Sequence, residues 1–378
     1  MNDKIIKIFI SGDFSPRLRV NDVIDKEEYA QLYGDILPII READYSITNL
    51  EAPLIEKGTP IAKTGPNLKA PIKSIEALKF AGISMVTLAN NHIMDYGEEG
   101  LLLTMDLCKK NNIDYIGVGK KLEEAQEVKY VLIKNTKIAF INVSENEWST
   151  TDGDKMGANP LNEIDVYYQI LEAKRNSDSV ILIIHGGHET YELPSPRMKR
   201  LYRWFIDLGV DAVIGHHTHC FSGDEVYKGK PIVYSLGNFI FDHPTNRDNY
   251  WNFGTAVVVE LNNGHLKLHF YPFEQCNNKV GVSLLAGKNR EQWFQKQKMK
   301  KEIILSDEML NQQYNLFIET QKKMYGAYLE PVKNKYVLAA MNRGFFSRFI
   351  KGAKKRLYLN IIRCEAHRDI LLKILSQQ

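Results

Sequence analysis

Apolar runs of strand length alternate with segments of helical spacing through the first 240 residues of the chain. Residues 180–184 and 212–214 are β-branched and apolar, which is typical of buried strands. The segments that precede them, residues 162–175 and 196–208, carry apolar residues at helical spacing. Alternation of this kind predicts an α/β sheet with helices on its faces.

The same patterns predict the remaining elements. Further strands are predicted over residues 4–10, 45–48, 84–88, 114–118, 128–133, 137–143, 231–235 and 239–241, and further helices over 27–42, 71–81 and 98–111. A hairpin across Asn262-Asn263-Gly264 joins predicted strands 255–261 and 265–271, because an Asn-Gly pair suits the tight turn between antiparallel strands. The predicted sheet ends there.

Polar side chains that can bind metals stand where these strands end. In chain order the strand ends offer Asp13, Glu51, Asn91, His92, His185, His217 and His219. In an open α/β sheet, ligands bind beyond the carboxyl ends of the strands, and neutral imidazole is the commonest protein ligand for Zn, Mn and Fe. The alternative is a set of surface histidines without a common role, but apolar strands ending in histidine recur three times, which favours a shared site.

The mixture of side chains indicates what kind of ion would bind. Carboxylate, amide and imidazole ligands, widely spaced in sequence, suit one or two divalent ions (Mn, Fe, Zn or Mg) rather than a structural zinc. Two like charges held about 3.5–4 Å apart need a bridging carboxylate, for which Glu51 is the candidate. The pair His217 and His219 is a stronger signal than the single residues, because alternate residues in an extended backbone point the same way.

Composition excludes several classes of protein. A chain of 378 residues with 25% charged residues is globular, and a formal net charge of +3 gives no reason to expect a nucleic-acid partner. The cysteines Cys108, Cys220, Cys276 and Cys364 form no CxxC pair, so we expect reduced thiols. No signal peptide or transmembrane segment is expected, and we therefore expect a cytoplasmic protein, free or peripheral at the inner face of the membrane.

The character of the chain changes after about residue 289. Polar, helix-like stretches cover residues 291–301, 308–324 and 332–341, and residues 288–301 are interpreted as a boundary or linker region. We predict one domain over residues 1–275 and a mostly helical, basic C-terminal extension over residues 276–378. Within it, residues 341–363 carry seven Lys or Arg and no acidic residue, interleaved with aromatic and aliphatic side chains. Such a segment can lie on an anionic membrane or bind a partner protein; the alternative is a solvated helix packed on the body of the protein.

The strand-end motifs together resemble those of a known family. They are Gly12-Asp13, Asn49-Leu50-Glu51, Ala89-Asn90-Asn91-His92, His185-Gly186-Gly187-His188-Glu189, Gly215-His216-His217-Thr218-His219 and Ser235-Leu236-Gly237-Asn238-Phe239. In order and spacing the set resembles the CapA family of poly-γ-glutamate and capsule biosynthesis proteins, which is itself similar to the calcineurin-like metallophosphoesterases. The resemblance implies a layered α/β/β/α fold with mixed sheets, over residues 5 to about 245.

The resemblance also implies roles for individual residues. One metal would be held by Asp13, Glu51 and His219, and a second by Glu51, Asn91, His185 and His217. His92 would be the general acid, Glu189 would orient a ligand histidine or contact the substrate, and Asn238 would face the substrate. The chain departs from the phosphoesterase pattern at Ser15, where that pattern has a ligand histidine, and at Glu51, where it has an aspartate.

Two functions are consistent with these features. The first is metal-dependent hydrolysis or transfer at a phosphoester or a γ-glutamyl-type substrate. The alternative, suggested by Ser15, is a non-catalytic component of a capsule pathway that binds an anionic polymer.

Overall fold

The computed structural model describes residues 5–63, 65–245, 247–328, 332–346, 350–352, 355 and 358. The chain divides into two compact units, residues 1–311 and 312–378. All of the strands given below, and the site described in the next section, lie in the first unit. The first unit also contains α9 and the start of α10, whereas α11 lies in the second.

The strands are short to medium in length and are numbered along the chain. They are β1 (Ile6–Phe14), β2 (Tyr45–Leu50), β3 (Met85–Thr87), β4 (Asp114–Ile116), β5 (Val118–Gly119), β6 (Lys129–Ile133), β7 (Thr136–Ser144), β8 (Gly157–Ala158), β9 (Ser179–His185), β10 (Ala212–His216), β11 (Asp224–Tyr227), β12 (Lys230–Val233), β13 (Asn238–Ile240), β14 (Phe253–Asn262), β15 (His265–Gln275) and β16 (Val282–Leu284).

The helices lie between these strands and after them. They are α1 (Arg19–Asp25), α2 (Tyr29–Tyr33), α3 (Leu37–Glu42), α4 (Ser74–Ala81), α5 (Gly97–Lys110), α6 (Leu122–Ala125), α7 (Glu163–Asn176), α8 (Pro196–Asp207), α9 (Gly287–Leu305), α10 (Asp307–Tyr328) and α11 (Lys335–Asn342). Single 3₁₀ turns span Gly34–Ile36 and Tyr250–Asn252.

Two large mixed sheets form the centre of the first unit. The eight-stranded sheet has the order β16-β15-β14-β1-β2-β3-β4, with β13 paired to β1, and the six-stranded sheet has the order β11-β12-β10-β9-β7-β6. In the first sheet β1, β2 and β3 are parallel, whereas β14 is antiparallel to β1. The predicted mixture of parallel and antiparallel pairing is confirmed.

The two sheets pack face to face, and helices cover their outer faces. Successive residues of a strand point to opposite faces of the sheet, so Ile181 and Ile183 of β9 pack between the sheets against Ile8 of β1. Leu182 points outward and packs with Val166 of α7. Side chains of α1 to α5 cover the outer face of the first sheet in the same way. This arrangement confirms the layered α/β/β/α fold.

The helix predicted over residues 27–42 is divided in the structure. Gly34, with φ +50°, separates α2 from α3. A side chain at this position would place its Cβ atom 2.2 Å from the backbone oxygen of Val282. The close approach of β16, which is distant in sequence, therefore requires a glycine here and interrupts the helix.

The interpretation of residues 288–301 as a linker is wrong. These residues belong to α9, whose Trp293 is buried in the core between the two sheets. Its ring centroid lies 4.8 Å from that of Phe221. Most residues of the helix are polar and few of them contact the core, so its sequence is difficult to distinguish from that of a linker.

The C-terminal predictions fall largely on parts of the chain outside the described residues. Of the basic segment 341–363, residues 347–349, 353–354, 356–357 and 359–363 are not among those described, so its role stays a prediction. No helix in the described ranges has the length and apolar character needed to span a bilayer. Cys108, Cys220 and Cys276 are free and buried, and Cys364 lies outside the described residues.

Candidate metal centre

Five strands from both sheets end at one buried site. The residues that they deliver are Asp13 in β1, Glu51 directly after β2, Asn91 after β3, His185 at the end of β9, and His217 and His219 after β10. Every one of these side chains is buried. The strand ends therefore converge as predicted. Three strands of one sheet end opposite two strands of the other.

A close approach of two backbone segments brings Asp13 into the site. The backbone nitrogen of Asp13 donates a hydrogen bond to the oxygen of Gly237 at 3.0 Å. A Cβ atom at Gly12 would lie 1.8 Å from that same oxygen. Only glycine allows β1 to lie this close to the loop before β13, and Asp13 is positioned as a result.

The first group of potential ligands surrounds His185. Its Nε2 atom lies 3.7 Å from Glu51 Oε1 and 3.1 Å from His217 Nδ1. The amide oxygen of Asn91 lies 3.0 Å from the same nitrogen. Ligand atoms of Glu51, His185 and His217 all lie within 4.8 Å of one another, so one ion could contact all of them.

A second group shares Glu51 with the first. It consists of Asp13, Glu51 and His219, again with ligand atoms within 4.8 Å of one another. His219 Nδ1 lies 3.7 Å from Asp13 Oδ2, and His219 Nε2 lies 3.9 Å from Glu51 Oε1. Glu51 is thus placed where a carboxylate bridging two ions would be.

The electrostatics of Glu51 fit a bound cation. Both carboxylate oxygens are buried, and neither has a hydrogen-bond partner among the described residues. Burial raises the pKa of Glu51 well above its usual range, and the negative charge of Asp13 raises it further. A buried carboxylate without a partner is costly, and a divalent ion between the two groups would compensate its charge.

The other members of the site are suited to ligation as well. Burial alone would raise the pKa of Asp13, but the adjacent His216 and the charge of His185 outweigh it and hold this pKa below its usual range. Burial and the charge of His219 lower the pKa of His217 to about 4. Burial likewise lowers the pKa of His185. An ionised aspartate and neutral imidazoles are the forms that bind metals.

The two histidines after β10 reach the site by a route that differs from the prediction. Strand β10 ends at His216, and His217 and His219 have φ values of +91° and +57°. The backbone therefore bends after β10 instead of continuing as an extended strand, so the expected reason for the common direction of the two side chains is wrong. His217 and His219 nevertheless both face Glu51, one in each ligand group.

His92 lies beside Asn91 and is held by a buried ion pair. Its Nδ1 atom lies 2.6 Å from Asp95 Oδ2, and Lys63 forms a salt bridge with the other oxygen of Asp95. The side chains of Lys63 and Asp95 are 3% and 0% exposed. Nδ1 also lies 3.2 Å from Lys63 Nζ. With a proton on Nδ1 donated to Asp95, Nε2 would be the nitrogen left for a substrate.

The two residues predicted to contact the substrate, Asn238 and Glu189, lie in different environments. Asn238 is fully buried; its Oδ1 lies 2.9 Å from His219 Nδ1, and its Nδ2 donates to the backbone oxygen of Trp251 at 3.1 Å. Both ends of this amide are used within the protein, so its geometry fits orientation of His219 better than contact with a substrate. Glu189 is exposed close to His217, and no hydrogen bond joins it to a ligand histidine among the described contacts.

Several residues of the site were not predicted from the sequence. Asn49 Nδ2 lies 2.8 Å from Asp13 Oδ1 and 3.2 Å from His185 Nδ1, and so joins the two sheets. Asn49 belongs to the Asn49-Leu50-Glu51 motif, which could have indicated it as a residue of the site. Glu147, in the loop after β7, places Oε1 3.8 Å from His217 Nε2. That loop is polar and irregular, and nothing in its pattern distinguishes Glu147 from a solvated acid.

Comparison with known proteins assigns the chain to a family. The family model described as "Bacterial capsule synthesis protein PGA_cap" matches residues 7–243, which is more than half of the chain. The chain belongs to the PGA_cap family. Every residue of both ligand groups falls within the matched range, so the candidate metal centre lies within the PGA_cap region.

Individual relatives agree with this assignment. The chain is 29% identical to "Capsule biosynthesis protein CapA" of Bacillus anthracis over 65% of its length, and 31% identical to "PGA biosynthesis protein CapA" of Bacillus subtilis (strain 168), also over 65%. These alignments span 62% and 66% of the two relatives, less than two thirds of each. A crystal structure of a hypothetical protein from Thermus thermophilus superposes with a TM-score of 0.46 at 14% identity, covering 71% of this PGA_cap chain and 99% of that one.

Proposed function

We propose that this chain is a metal-dependent enzyme of capsule or poly-γ-glutamate biosynthesis that hydrolyses or transfers at a phosphoester or γ-glutamyl-type bond. The observation that carries the proposal is the pair of ligand groups around the unpartnered Glu51 carboxylate within the described structure. The family and the names of its relatives suggest the pathway. The anionic polymer or its phosphoester precursor is the proposed substrate.

Some residues of the site would bind the metal ions, and one would transfer a proton. Asp13, Glu51 and His219 would hold one divalent ion, and Glu51, Asn91, His185 and His217 the other. When bound, such ions supply Lewis-acid activation of a phosphoryl or carbonyl oxygen. Asn49 and Asn238 orient ligands of the two groups through their amides.

His92 is the proposed proton donor to the leaving group. Its Nδ1 faces Asp95, which fixes the ring, and as general acid His92 would be the imidazolium, whose Nε2–H passes its proton to the leaving oxygen or nitrogen and leaves the neutral ring behind. Lys63 forms a salt bridge with the other oxygen of the buried Asp95 carboxylate. The side chain of His92 is only 8% exposed, which limits competition from water for the same nitrogen.

The test compares leaving groups in the wild-type protein and in His92→Ala. With Mn²⁺, Fe²⁺, Zn²⁺ or Mg²⁺ added, the substrates are p-nitrophenyl and phenyl phosphodiesters and a γ-glutamyl anilide. We expect His92→Ala to lower kcat by about 10²–10⁴-fold, and to lower it most for the poorer phenoxide leaving group, while the bound metal is unchanged. Equal rates in wild type and variant for both esters would contradict the role of His92.

A non-catalytic polymer-binding role is favoured by one observation. Ser15 stands where the phosphoesterase pattern has a ligand histidine, and its buried hydroxyl has no hydrogen-bond partner within the described structure. The second ligand group therefore has three members rather than four. Absence of turnover for every ester and anilide, combined with saturable binding of poly-γ-glutamate to the metal-loaded protein, would support this role instead.

A further inference from the structure

A cavity lies between helix α9 and the segment that contains the 3₁₀ turn Tyr250–Asn252. Its volume is about 540 Å³, which is the size of a site for a small molecule or for a short stretch of a polymer. None of the proposed metal ligands lines it. Of its described lining residues, Glu192 and Phe221 fall within the range of the family match, and the others come from residues 248–300. Most of this cavity is therefore built by the part of the chain beyond the matched region.

Two lining residues place the cavity next to the candidate metal centre. Phe221 follows the proposed ligand His219 by two residues in the chain. Tyr250 directly precedes Trp251, whose ring centroid lies 4.7 Å from that of His219. A substrate whose reactive bond lies at the metal centre could therefore extend into this cavity.

One wall of the cavity is a face of α9. Asn289, Gln292 and Lys296 line the cavity, and their spacing of three and four residues places them on the same side of the helix. Within the described structure, none of these three side chains forms a hydrogen bond or an ion pair. Two carboxamides and one ammonium group are therefore available to a ligand.

Helix α9 also contributes an excess of positive charge beside the cavity. It contains six Lys or Arg and two Glu, which gives a net charge of +4. Lys300 lines the cavity and pairs with Glu192 at 3.2 Å, which leaves Lys296 and Asp248 as the other charged residues of the described lining. An anionic group bound beside Lys296 would be attracted by that lysine and by the charge of the helix.

Aromatic side chains form much of the remaining wall. Phe221 and Trp293 are buried, and their ring centroids lie 4.8 Å apart. Phe253 is half-buried, and Tyr250 is 39% exposed. Aromatic rings at the wall of a binding site pack against the apolar parts of a ligand, while a few polar groups fix its orientation. The cavity thus combines apolar surface with carboxamides and a cation.

We propose that this cavity binds a stretch of γ-glutamyl chain adjacent to the bond that reacts at the metal centre. The choice of this polymer rests on the proposed function. Each γ-linked glutamate unit carries an amide, a carboxylate and two methylene groups. Carboxamides both donate and accept hydrogen bonds, so Asn289 and Gln292 match the amides of the chain. Lys296 matches a carboxylate, and the rings of Tyr250 and Phe253 match the methylene groups.

A neutral saccharide fits the same cavity less well. Its hydroxyl groups and its apolar ring face would also use the carboxamides and the aromatic rings. It would, however, leave Lys296 and the net charge of α9 without a counterpart. The positive charge therefore favours a chain that carries carboxylates.

The experiment measures binding of a γ-linked glutamate decamer, in its D and L forms, to the full chain by isothermal titration calorimetry. Chelator is present throughout, so neither metal binding nor turnover contributes to the result. The variants are Lys296→Glu and Tyr250→Ala. The matched controls are Lys298→Glu, which makes the same charge change on α9 at an exposed position outside the described lining, and Tyr250→Phe, which keeps the ring.

We expect Lys296→Glu to weaken binding of the decamer about 5–30-fold, because a repulsive charge replaces an attractive one, and Lys298→Glu to weaken it no more than about threefold. Tyr250→Ala should weaken binding about 5–30-fold, and Tyr250→Phe should weaken it less. Added salt should weaken binding to the wild type more than binding to Lys296→Glu, since salt screens exposed charges. Circular dichroism confirms that each variant is folded.

Two results would overturn the inference. If the wild type binds the decamer but Lys296→Glu and Lys298→Glu bind it equally well, the polymer binds elsewhere, and the proposed function stands without this cavity. If the wild type binds no decamer at millimolar concentration, whether or not maltohexaose binds in its place, the cavity is not a γ-glutamyl site. Failure of the proposed enzymatic role looks different: binding would depend on Lys296 and Tyr250, but no ester or anilide would be turned over.

Discussion

Glu51 is the residue on which the proposed metal centre most depends. It is the one member shared by both ligand groups, and its carboxylate is buried without a hydrogen-bond partner in the described part of the structure. A carboxylate in this position contributes nothing favourable to folding until an ion is bound. On the proposed function, its presence at the centre of the site would be explained by metal binding rather than by stability.

Replacing Glu51 by Gln should separate stability from metal binding. In chelator, we expect the variant to be about as stable as the wild type, because the substitution replaces one buried polar group that has no partner in the described structure by another of the same size. Added Mn²⁺ should raise the melting temperature of the wild type by mass action and leave that of the variant unchanged. Thermal unfolding with and without Mn²⁺ measures both effects; a variant that responded to Mn²⁺ like the wild type would contradict the shared role of Glu51.

Lys63 and Asp95 form a buried ion pair that should matter for stability as well as for His92. Removing one partner of such a pair leaves an uncompensated buried charge and costs about 3–5 kcal/mol, which we expect for Lys63→Met. The matched control is Lys110→Met, since Lys110 forms an ion pair with Asp106 whose side chains are 69% and 49% exposed. Exposed pairs contribute about 0.2–1 kcal/mol.

Urea unfolding of the two lysine variants provides the measurement. Equal midpoints for Lys63→Met and Lys110→Met would show that Asp95 is not held by Lys63, and the account of how the His92 ring is fixed would have to be abandoned.

At this scale the sequence predicts ligands better than it predicts their partners. Asp13, His185 and His217 stand at the ends of apolar runs, where periodicity makes a strand end visible. Lys63 and Glu147 lie in irregular polar loops and reach the site only through the tertiary fold. A pattern that spans a few residues carries no information about such long-range contacts.

Among the elements, α9 shows how two buried side chains can attach a mostly polar helix to a core. Trp293 and Ile304 are its buried residues. Trp293 packs against Phe221 and Phe270 between the two sheets. The first compact unit therefore includes this helix, although its sequence is mostly polar.

Truncation of Trp293 tests this attachment. We expect Trp293→Ala to lower the free energy of unfolding by about 3–5 kcal/mol, the usual cost of removing a large buried aromatic side chain. Leu305→Ala in the same helix should change it by no more than about 0.5 kcal/mol, because Leu305 is 54% exposed. Chemical denaturation measures the free energy of unfolding of both variants. Similar losses of this free energy in the two variants would mean that the attachment of α9 does not depend on Trp293.

Strands and helices with strong periodicity were predictable to within a few residues. Strands β7, β9 and β10 and helices α7 and α8 agree with the patterns over residues 137–143, 180–184, 212–214, 162–175 and 196–208. The division of the helix at Gly34 was not predictable, because it follows from the approach of Val282, which is far away in sequence. Local propensity cannot report a contact of that kind.

For the whole molecule, the decisive feature is that the site is shared by two sheets. Asp13, Glu51 and Asn91 come from the larger sheet, and His185 and His217 from the smaller one. Strand periodicity predicted that each group would lie at a carboxyl edge, but it does not specify strand order or the face-to-face packing that brings the two edges together. The layered arrangement was expected from the family resemblance rather than from periodicity.

The most direct test of the metal centre is its metal content, measured by plasma mass spectrometry after loading with Mn²⁺ and removal of free metal by gel filtration. The two ligand groups predict two ions per wild-type chain, and fewer in Glu51→Gln, because that residue belongs to both groups. A wild-type chain that retained no Mn²⁺, or a Glu51→Gln variant that retained as much as the wild type, would contradict the account.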